Sequence, residues 1–366
     1  MTNLCIENLY SYKIKEQKAR PDFKFYENEK INENFDGFVK KKSIKKYILN
    51  YRSPYITGDK KNDEVYCELF LNYGLDNKDN NLIKSKAGEL KAAEVKTFKT
   101  GESLIIILHG FASKLQKLGN YYDFISKLLN NNINCAFLNQ PYHLYRTPRG
   151  ENSGERLIYF GDIETLYFYH QAVVDVRRLI DIALQKLNFK RIILCGFSLG
   201  SMVATITAAV DKRIDKTILL LGGGNWHEIH WNSFLSHILK GNCIKDGKIT
   251  KEKCKEFYKD FPFFLEEFKN TDISNLDFNL SLNPDLKEKT TKMCFLCDPL
   301  AFAHKIDPQK ILMINSRLDH YFPKTSAIQL WKELGKPEIF WFTKLHTSKI
   351  LLNPRVFNII LNFIKN

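Results

Sequence analysis

Two hydrophobic periods alternate along this chain: short apolar, β-branched runs, and longer stretches with an apolar residue every third or fourth position. Residues 65–71, 103–108, 133–138, 191–194, 214–221, 310–315 and 337–342 read as strands. Residues 94–98 alternate polar and apolar as a further strand should. Between them lie helical patterns at 121–129, stopped by Asn130, Asn131 and Asn132, and at 201–210 and 326–331. Asp162 is a candidate cap for a helix running to about Leu187, with Leu166, Val173, Val176, Ile180 and Leu184 on its buried face. Asp175, Arg178 and Asp181 fall on one face of that helix and are expected to form a solvated ion-pair ladder. Val356, Phe357, Ile360, Leu361 and Ile364 give the chain an amphipathic last helix, expected to pack on the sheet.

Strand and helix alternate, so the expected fold class is α/β, with a doubly wound, mainly parallel sheet. Residues 225–299 interrupt the alternation with Trp226, Trp231, Phe234, Phe257, Phe261, Phe263, Phe264 and Phe268. They read as a helical cap inserted between the sixth and seventh predicted strands, over the sheet edge where open α/β sheets place their sites. The expected organisation is a core of 61–224 and 300–366, the cap at 225–299, and a charged, aromatic extension at 1–60. That extension fits either a wrap around the core or helices preceding it.

The chemistry centres on Gly196-Phe197-Ser198-Leu199-Gly200, which follows an apolar strand and opens a helix. A serine there must turn so sharply that its backbone enters the positive-φ region, and the flanking glycines remove side chains that would collide. Its hydroxyl then stands beside a helix N-terminus able to stabilise an oxyanion. Such a nucleophile needs a histidine and an acid on later loops. Asp319 follows the predicted strand 310–315, and His346 follows 337–342. The order Ser198, Asp319, His346 therefore fits a nucleophile, an orienting acid and a general base, with Asp319 preferred over Asp298 and Glu338. Strand 103–108 runs into His109-Gly110-Phe111, so the amides of Phe111 and Leu199 are the expected oxyanion donors, and His109 itself is expected to be structural. Tyr142, His143 and Arg146, on a loop leaving the same sheet edge, are candidate pocket residues.

On these motifs the chain resembles the α/β-hydrolase superfamily from about residue 95 to the C-terminus. It also resembles prokaryotic hydrolases that carry the stretches read here as Pro141-Tyr142-His143-Leu144-Tyr145-Arg146-Thr147-Pro148 and Asp298-Pro299-Leu300-Ala301-Phe302-Ala303-His304. The resemblance implies a serine hydrolase acting on esters, thioesters or amides without a cofactor, and implies no particular substrate.

Charge raises a different reading. The net charge is +14, but only eleven of the 55 basic residues are arginine. Nucleic-acid surfaces favour the arginine fork, so the scattered lysines read as compositional bias, and Lys40-Lys41-Lys42 and Lys45-Lys46 as solvated runs. No apolar run reaches the eighteen residues of a membrane span. Nor does the start carry a basic region followed by an apolar stretch, which predicts a cytoplasmic protein with eight reduced cysteines. Cys294 and Cys297 have zinc-like spacing, yet their apolar neighbours favour buried thiols, and no metal is expected. Cys195, on the strand before the serine, is read as packing.

The sequence thus predicts a hydrolase of a carboxylic ester or thioester, from a small-molecule or lipid substrate, with no nucleic acid and no membrane insertion. An acyltransferase using the same residues, and a non-catalytic scaffold, are the alternatives.

Overall fold

Alternate residues of a strand point to opposite faces of its sheet, so a strand covered on both sides must be apolar at every position. Five consecutive core residues of Ser103–Leu108 meet that condition. Leu104, Ile106 and Leu108 enter one core cluster, while Ile105 and Ile107 enter another on the opposite face. The computed structural model describes residues 23–27, 44–72, 102–239, 250–259, 261–262 and 293–366. Among them, nine strands form one sheet in the order β1-β2-β3-β5-β4-β6-β7-β8-β9. These are β1 (Phe23–Glu27), β2 (Ile44–Arg52), β3 (Glu64–Asn72), β4 (Ser103–Leu108), β5 (Asn134–Leu138), β6 (Arg191–Phe197), β7 (Ile214–Leu220), β8 (Ile311–Ser316) and β9 (Glu338–Phe342). Strands β4 to β9 pair in parallel, and β1, β2 and β3 extend the sheet antiparallel beside β5.

Helices cover both faces. In chain order they are α1 (Lys60–Asp63), α2 (Gly119–Asn130), α3 (Glu155–Ile158), α4 (Asp162–Gln185), α5 (Leu199–Val210), α6 (Trp226–Trp231), α7 (Lys251–Lys259), α8 (Pro299–Ala303), α9 (Lys324–Glu333) and α10 (Pro354–Lys365). Helices α4 and α5 pack on the face carrying Leu104 and Ile106; α2 and α10 pack on the other. Nearly every residue of α5 is buried; the helix carries no charge, and the hydroxyls of Ser201, Thr205 and Thr207 donate to backbone carbonyls three or four residues earlier. The doubly wound, mainly parallel sheet is therefore as expected.

The stretch before residue 60, which the sequence left open between a wrap around the core and preceding helices, contributes β2 to the main sheet through a full-length register with β3. Lys46 is buried rather than solvated: it pairs with Glu68 and lies 5.5 Å from the centre of the Phe70 ring and 5.6 Å from that of Tyr122. The expected ladder on α4 is buried too. Asp175 meets Arg146 at 2.8 Å, and Asp181 meets Arg213 at 2.6 Å. Helix α10 packs on the sheet through Val356, Phe357, Ile360 and Ile364, as its pattern predicts. The expected strand at 94–98, the run Lys40-Lys41-Lys42, and Phe263, Phe264 and Phe268 of the cap lie outside the described residues.

Candidate active site

Strands β4, β6, β8 and β9 all end at one sheet edge, and each hands its following loop a chemically active group. After β6, the chain reverses into α5 through Ser198, whose φ of 55° and ψ of −118° are strained for a residue with a Cβ. The flanking glycines make that turn possible by close approach. A Cβ on Gly196 would lie 2.2 Å from the Gly200 carbonyl oxygen, and one on Gly200 would lie 2.3 Å from the Leu108 oxygen. The Ser198 amide donates to Leu220 O at 2.8 Å, tying the turn to β7.

The loops after β8 and β9 bring Asp319 and His346 to the serine. His346 Nε2 lies 2.8 Å from Ser198 Oγ, and Nδ1 lies 2.7 Å from Asp319 Oδ2. A carboxylate only accepts, so Nδ1 carries the imidazole proton and Nε2 is left to accept from the hydroxyl. Asp319 is held in turn, its Oδ1 accepting from the amides of Tyr321 at 2.9 Å and Phe322 at 2.8 Å. The imidazole is wedged edge-on to Tyr321 and stacked on Phe322, with ring centres 4.9 and 5.8 Å apart. Side-chain exposure is 6% for His346 and 3% for Asp319, so the pair works in a poorly solvated setting. Asp298 sits elsewhere: its buried carboxylate caps α8 and accepts from the Asn225 and Trp226 amides and the Tyr258 hydroxyl. It thereby joins the two ends of the inserted segment.

The loop after β4 lies against the serine, since a Cβ on Gly110 would be 3.3 Å from Ser198 Cβ. His109 fixes this loop from beneath. Its Nδ1 meets Gly110 O at 2.8 Å, and its Nε2 accepts from the Gln140 amide at 3.1 Å. A carbonyl must accept and an amide must donate, so both bonds require the neutral ring. Burial, reinforced by the neighbouring His143, lowers the His109 pKa to about 3. The structural role expected of His109 agrees with this. Leu199 is the first residue of α5, where helix geometry leaves the amide without an intrahelical acceptor. Phe111, Ser198 and Leu199 share the wall of one cavity.

Tyr142, His143 and Arg146 do not line that cavity, and the pocket role expected of them fails for packing reasons. Arg146 is wholly buried; it donates to Asp175 Oδ2 at 2.8 Å, to Asn139 O at 3.1 Å and, through Nε, to Asn62 O at 2.8 Å. His143 is buried with Nδ1 on Pro141 O at 2.8 Å, and burial lowers its pKa to about 4. The Tyr142 ring packs edge-on to Phe160 and under the Arg156 guanidinium. The loop reaches the cavity further along, through Leu157, Ile158 and Phe160. That apolar cluster inside a polar loop was the available sequence signal. Cys195 is buried, with its thiol pushed up to about 12 by desolvation, in keeping with packing.

The cavity holds about 510 Å³ and opens onto Ser198 Oγ and His346. Phe168, Tyr169 and Met202 line it from the core side, and Trp226, Leu235 and Ile238 from the inserted segment. Phe257 and Phe261 of the expected cap pack into the core instead, Phe261 against Tyr258 and Phe295.

Two consequences of this packing are measurable. Arg146→Ala leaves Asp175 buried without its cation, and breaking a buried pair costs about 3–5 kcal/mol. Denaturant unfolding should show that loss, while activity per folded molecule falls equally on charged and neutral esters; a selective rise in KM for anionic esters would instead return Arg146 to the substrate. The second consequence concerns pH. His109 has a folded pKa below its unfolded value of 6.5, so its contribution is complete above pH 6.5 and is lost as pH falls toward about 3. At pH 5 it alone should cost about 2 kcal/mol relative to pH 7. A pH series of unfolding curves checks this, and a flat profile between pH 7 and 5 would contradict it.

Comparison with known proteins bears on the fold. Residues 103–242 match the family described as alpha/beta hydrolase fold. No curated protein matches the chain by sequence. Among solved structures, acetyl xylan esterase 1 from Thermoanaerobacterium sp. JW/SL YS485 is 14% identical with a TM-score of 0.53, over 99% of this chain and 94% of that one. Acetyl xylan esterase from Paenibacillus sp. R4 is 12% identical with a TM-score of 0.54, over 98% of each chain. An acylaminoacyl peptidase of Pyrococcus horikoshii is 14% identical with a TM-score of 0.51, over 92% of this chain and 43% of that one. The chain has the α/β-hydrolase fold.

Proposed function

We propose that this protein is a serine hydrolase that cleaves a carboxylic ester or thioester through an acyl-enzyme. The observation that carries the reading is one imidazole hydrogen-bonded on one side to Ser198 Oγ and on the other to Asp319. His346 Nε2 takes the hydroxyl proton as Ser198 Oγ attacks the substrate carbonyl carbon, and the carbonyl π electrons move onto oxygen. The resulting oxyanion is held by the Phe111 and Leu199 amides, aided by the positive end of α5. On collapse, the bond to the leaving group breaks and the histidine returns its proton to that alcohol or thiol. Water, deprotonated by the same nitrogen, then attacks the acyl carbon and frees Ser198 and a carboxylic acid. Asp319 fixes the tautomer throughout and stabilises the imidazolium between steps.

The esterase names among the structural neighbours are in keeping with this reading, although at 12–14% identity they speak for the fold. The apolar cavity supports a hydrocarbon acyl group rather than a small polar one, with the inserted segment forming part of its wall. A panel of p-nitrophenyl esters of graded chain length tests it. kcat/KM should rise with acyl length up to a limit, since each buried CH₂ is worth about 0.8 kcal/mol. A flat profile would remove the acyl pocket from the account, and hydrolysis of no ester would remove the function. The acyltransferase alternative differs only in the acceptor, and product partition with added alcohols separates the two.

A further inference from the structure

Seven large hydrophobic side chains are exposed among the described residues, and five of them are close sequence neighbours of residues that line this cavity. Leu115 is 39% exposed, Tyr159 48%, Phe234 49%, Leu318 51% and Leu345 62%. Each lies within a short segment that also lines the cavity: residues 114–117, 157–160, 234–239, 317–321 and 344–349. Hydrogen bonds tie several of these segments to one another or to the residues beside them. The Phe234 amide donates to His320 O at 2.8 Å, Ser316 Oγ binds both the Leu318 amide and Lys344, and Asn120 donates to Ser348 Oγ at 2.8 Å. An exposed apolar cluster set around a cavity mouth marks a surface made to be covered.

Charge says what covers it. The five segments contain Lys114, Lys117, Arg317, Lys344 and Lys349, all exposed. Their one acidic residue is Asp319, which is turned inward onto His346. None of the five cations is ion-paired among the described residues. Leucines and aromatics interleaved with unpaired cations, with no exposed acid between them, match an interface of acyl chains beneath anionic headgroups. No helix among the described residues is long and apolar enough to cross a membrane, so the contact is peripheral.

The geometry points to the cavity rim as a docking surface for an anionic phospholipid bilayer, from which the acyl ester enters directly. The inference rests on the hydrolase reading for its substrate but not for its binding surface. Docking presses Leu318 and Leu345, the neighbours of Asp319 and His346 in sequence, into the headgroup region. The cavity then faces the layer in which ester-linked acyl chains reside.

Vesicle sedimentation with the full chain tests this, using phosphatidylcholine vesicles with and without about 30 mol% phosphatidylglycerol. Wild type should bind the anionic vesicles, lose binding as salt rises, and bind neutral vesicles weakly. Lys344→Glu/Lys349→Glu should bind at least about 25-fold more weakly, because each surface cation contributes about fivefold. Leu318→Ser/Leu345→Ser should bind roughly tenfold more weakly at fixed charge. Both variants should retain activity on dissolved p-nitrophenyl acetate within about twofold while losing it on esters embedded in the vesicles. Ser198→Ala should bind as wild type does, so a failure of the hydrolase reading would appear as binding without turnover. Absence of wild-type binding at low salt would overturn the proposal. So would wild-type binding that neither double variant weakens, or an equal affinity for duplex DNA unaffected by Leu318→Ser/Leu345→Ser.

Discussion

Ser198→Ala should lower turnover of an activated ester by about 10⁶-fold and leave the melting temperature close to that of wild type. The large loss follows because neither nucleophilic side chain nearest to Ser198 in sequence can take its place. Ser201, three residues on, is buried and donates its hydroxyl to Ser198 O at 2.7 Å. Cys195 is buried with its thiol held protonated. The fold should persist because Ser198 donates its backbone amide, not its side chain, to β7. Alanine also inherits the same strained φ, so the turn is neither relieved nor worsened. Steady-state kinetics with a thermal melt checks both halves. A variant retaining a few per cent of activity would place the nucleophile elsewhere.

Asp319→Asn should cost about 10⁴-fold in turnover with little change in stability. The asparagine has two orientations, and the surroundings choose the damaging one. Its oxygen must face the Tyr321 and Phe322 amides, because an NH₂ turned toward two backbone donors would lose both bonds. The NH₂ then faces His346 Nδ1 and donates to it, forcing the ring proton onto Nε2. Nε2 can no longer accept from Ser198 Oγ, and the general base is lost while every atom stays in place. Kinetics of Asp319→Asn beside Asp298→Asn decides the matter. Full activity in the first and none in a folded form of the second would make Asp298 the acid. Asp298→Asn should instead act through stability, since that carboxylate joins the two ends of the inserted segment.

Those parts of the fold whose local pattern agrees with their environment were legible in the sequence. Strands β4 and β6 are apolar at successive positions because both faces are covered, and α5 is uncharged throughout because it is buried against them. The glycines around Ser198 were legible because their cause is local: backbone meets backbone there at distances no Cβ survives. Strand β2 was hidden because buried Lys46, neutralised by Glu68 and set against the Phe70 and Tyr122 rings, looks in sequence like a solvated charge. Arg146 misled for the same reason. An arginine on a loop at the active edge reads as a substrate contact, and only the positions of Asn62, Asn139 and Asp175 reveal it as an internal brace. Two of the partners, Asn62 and Asp175, lie 84 and 29 residues away, beyond the reach of any local pattern. The cavity wall was partly visible, since Trp226 was singled out, but Phe160 and Phe168 come from segments that read as loop and as sheet-covering helix.

Covalent labelling by a fluorophosphonate, with the modified residue located by peptide mass spectrometry, tests most directly whether His346 makes Ser198 a nucleophile. Only an activated serine attacks phosphorus at a useful rate. A single adduct on Ser198 is expected, absent after Ser198→Ala and strongly slowed by Asp319→Asn. No adduct on the folded wild-type protein, or an adduct on Ser201, would contradict it.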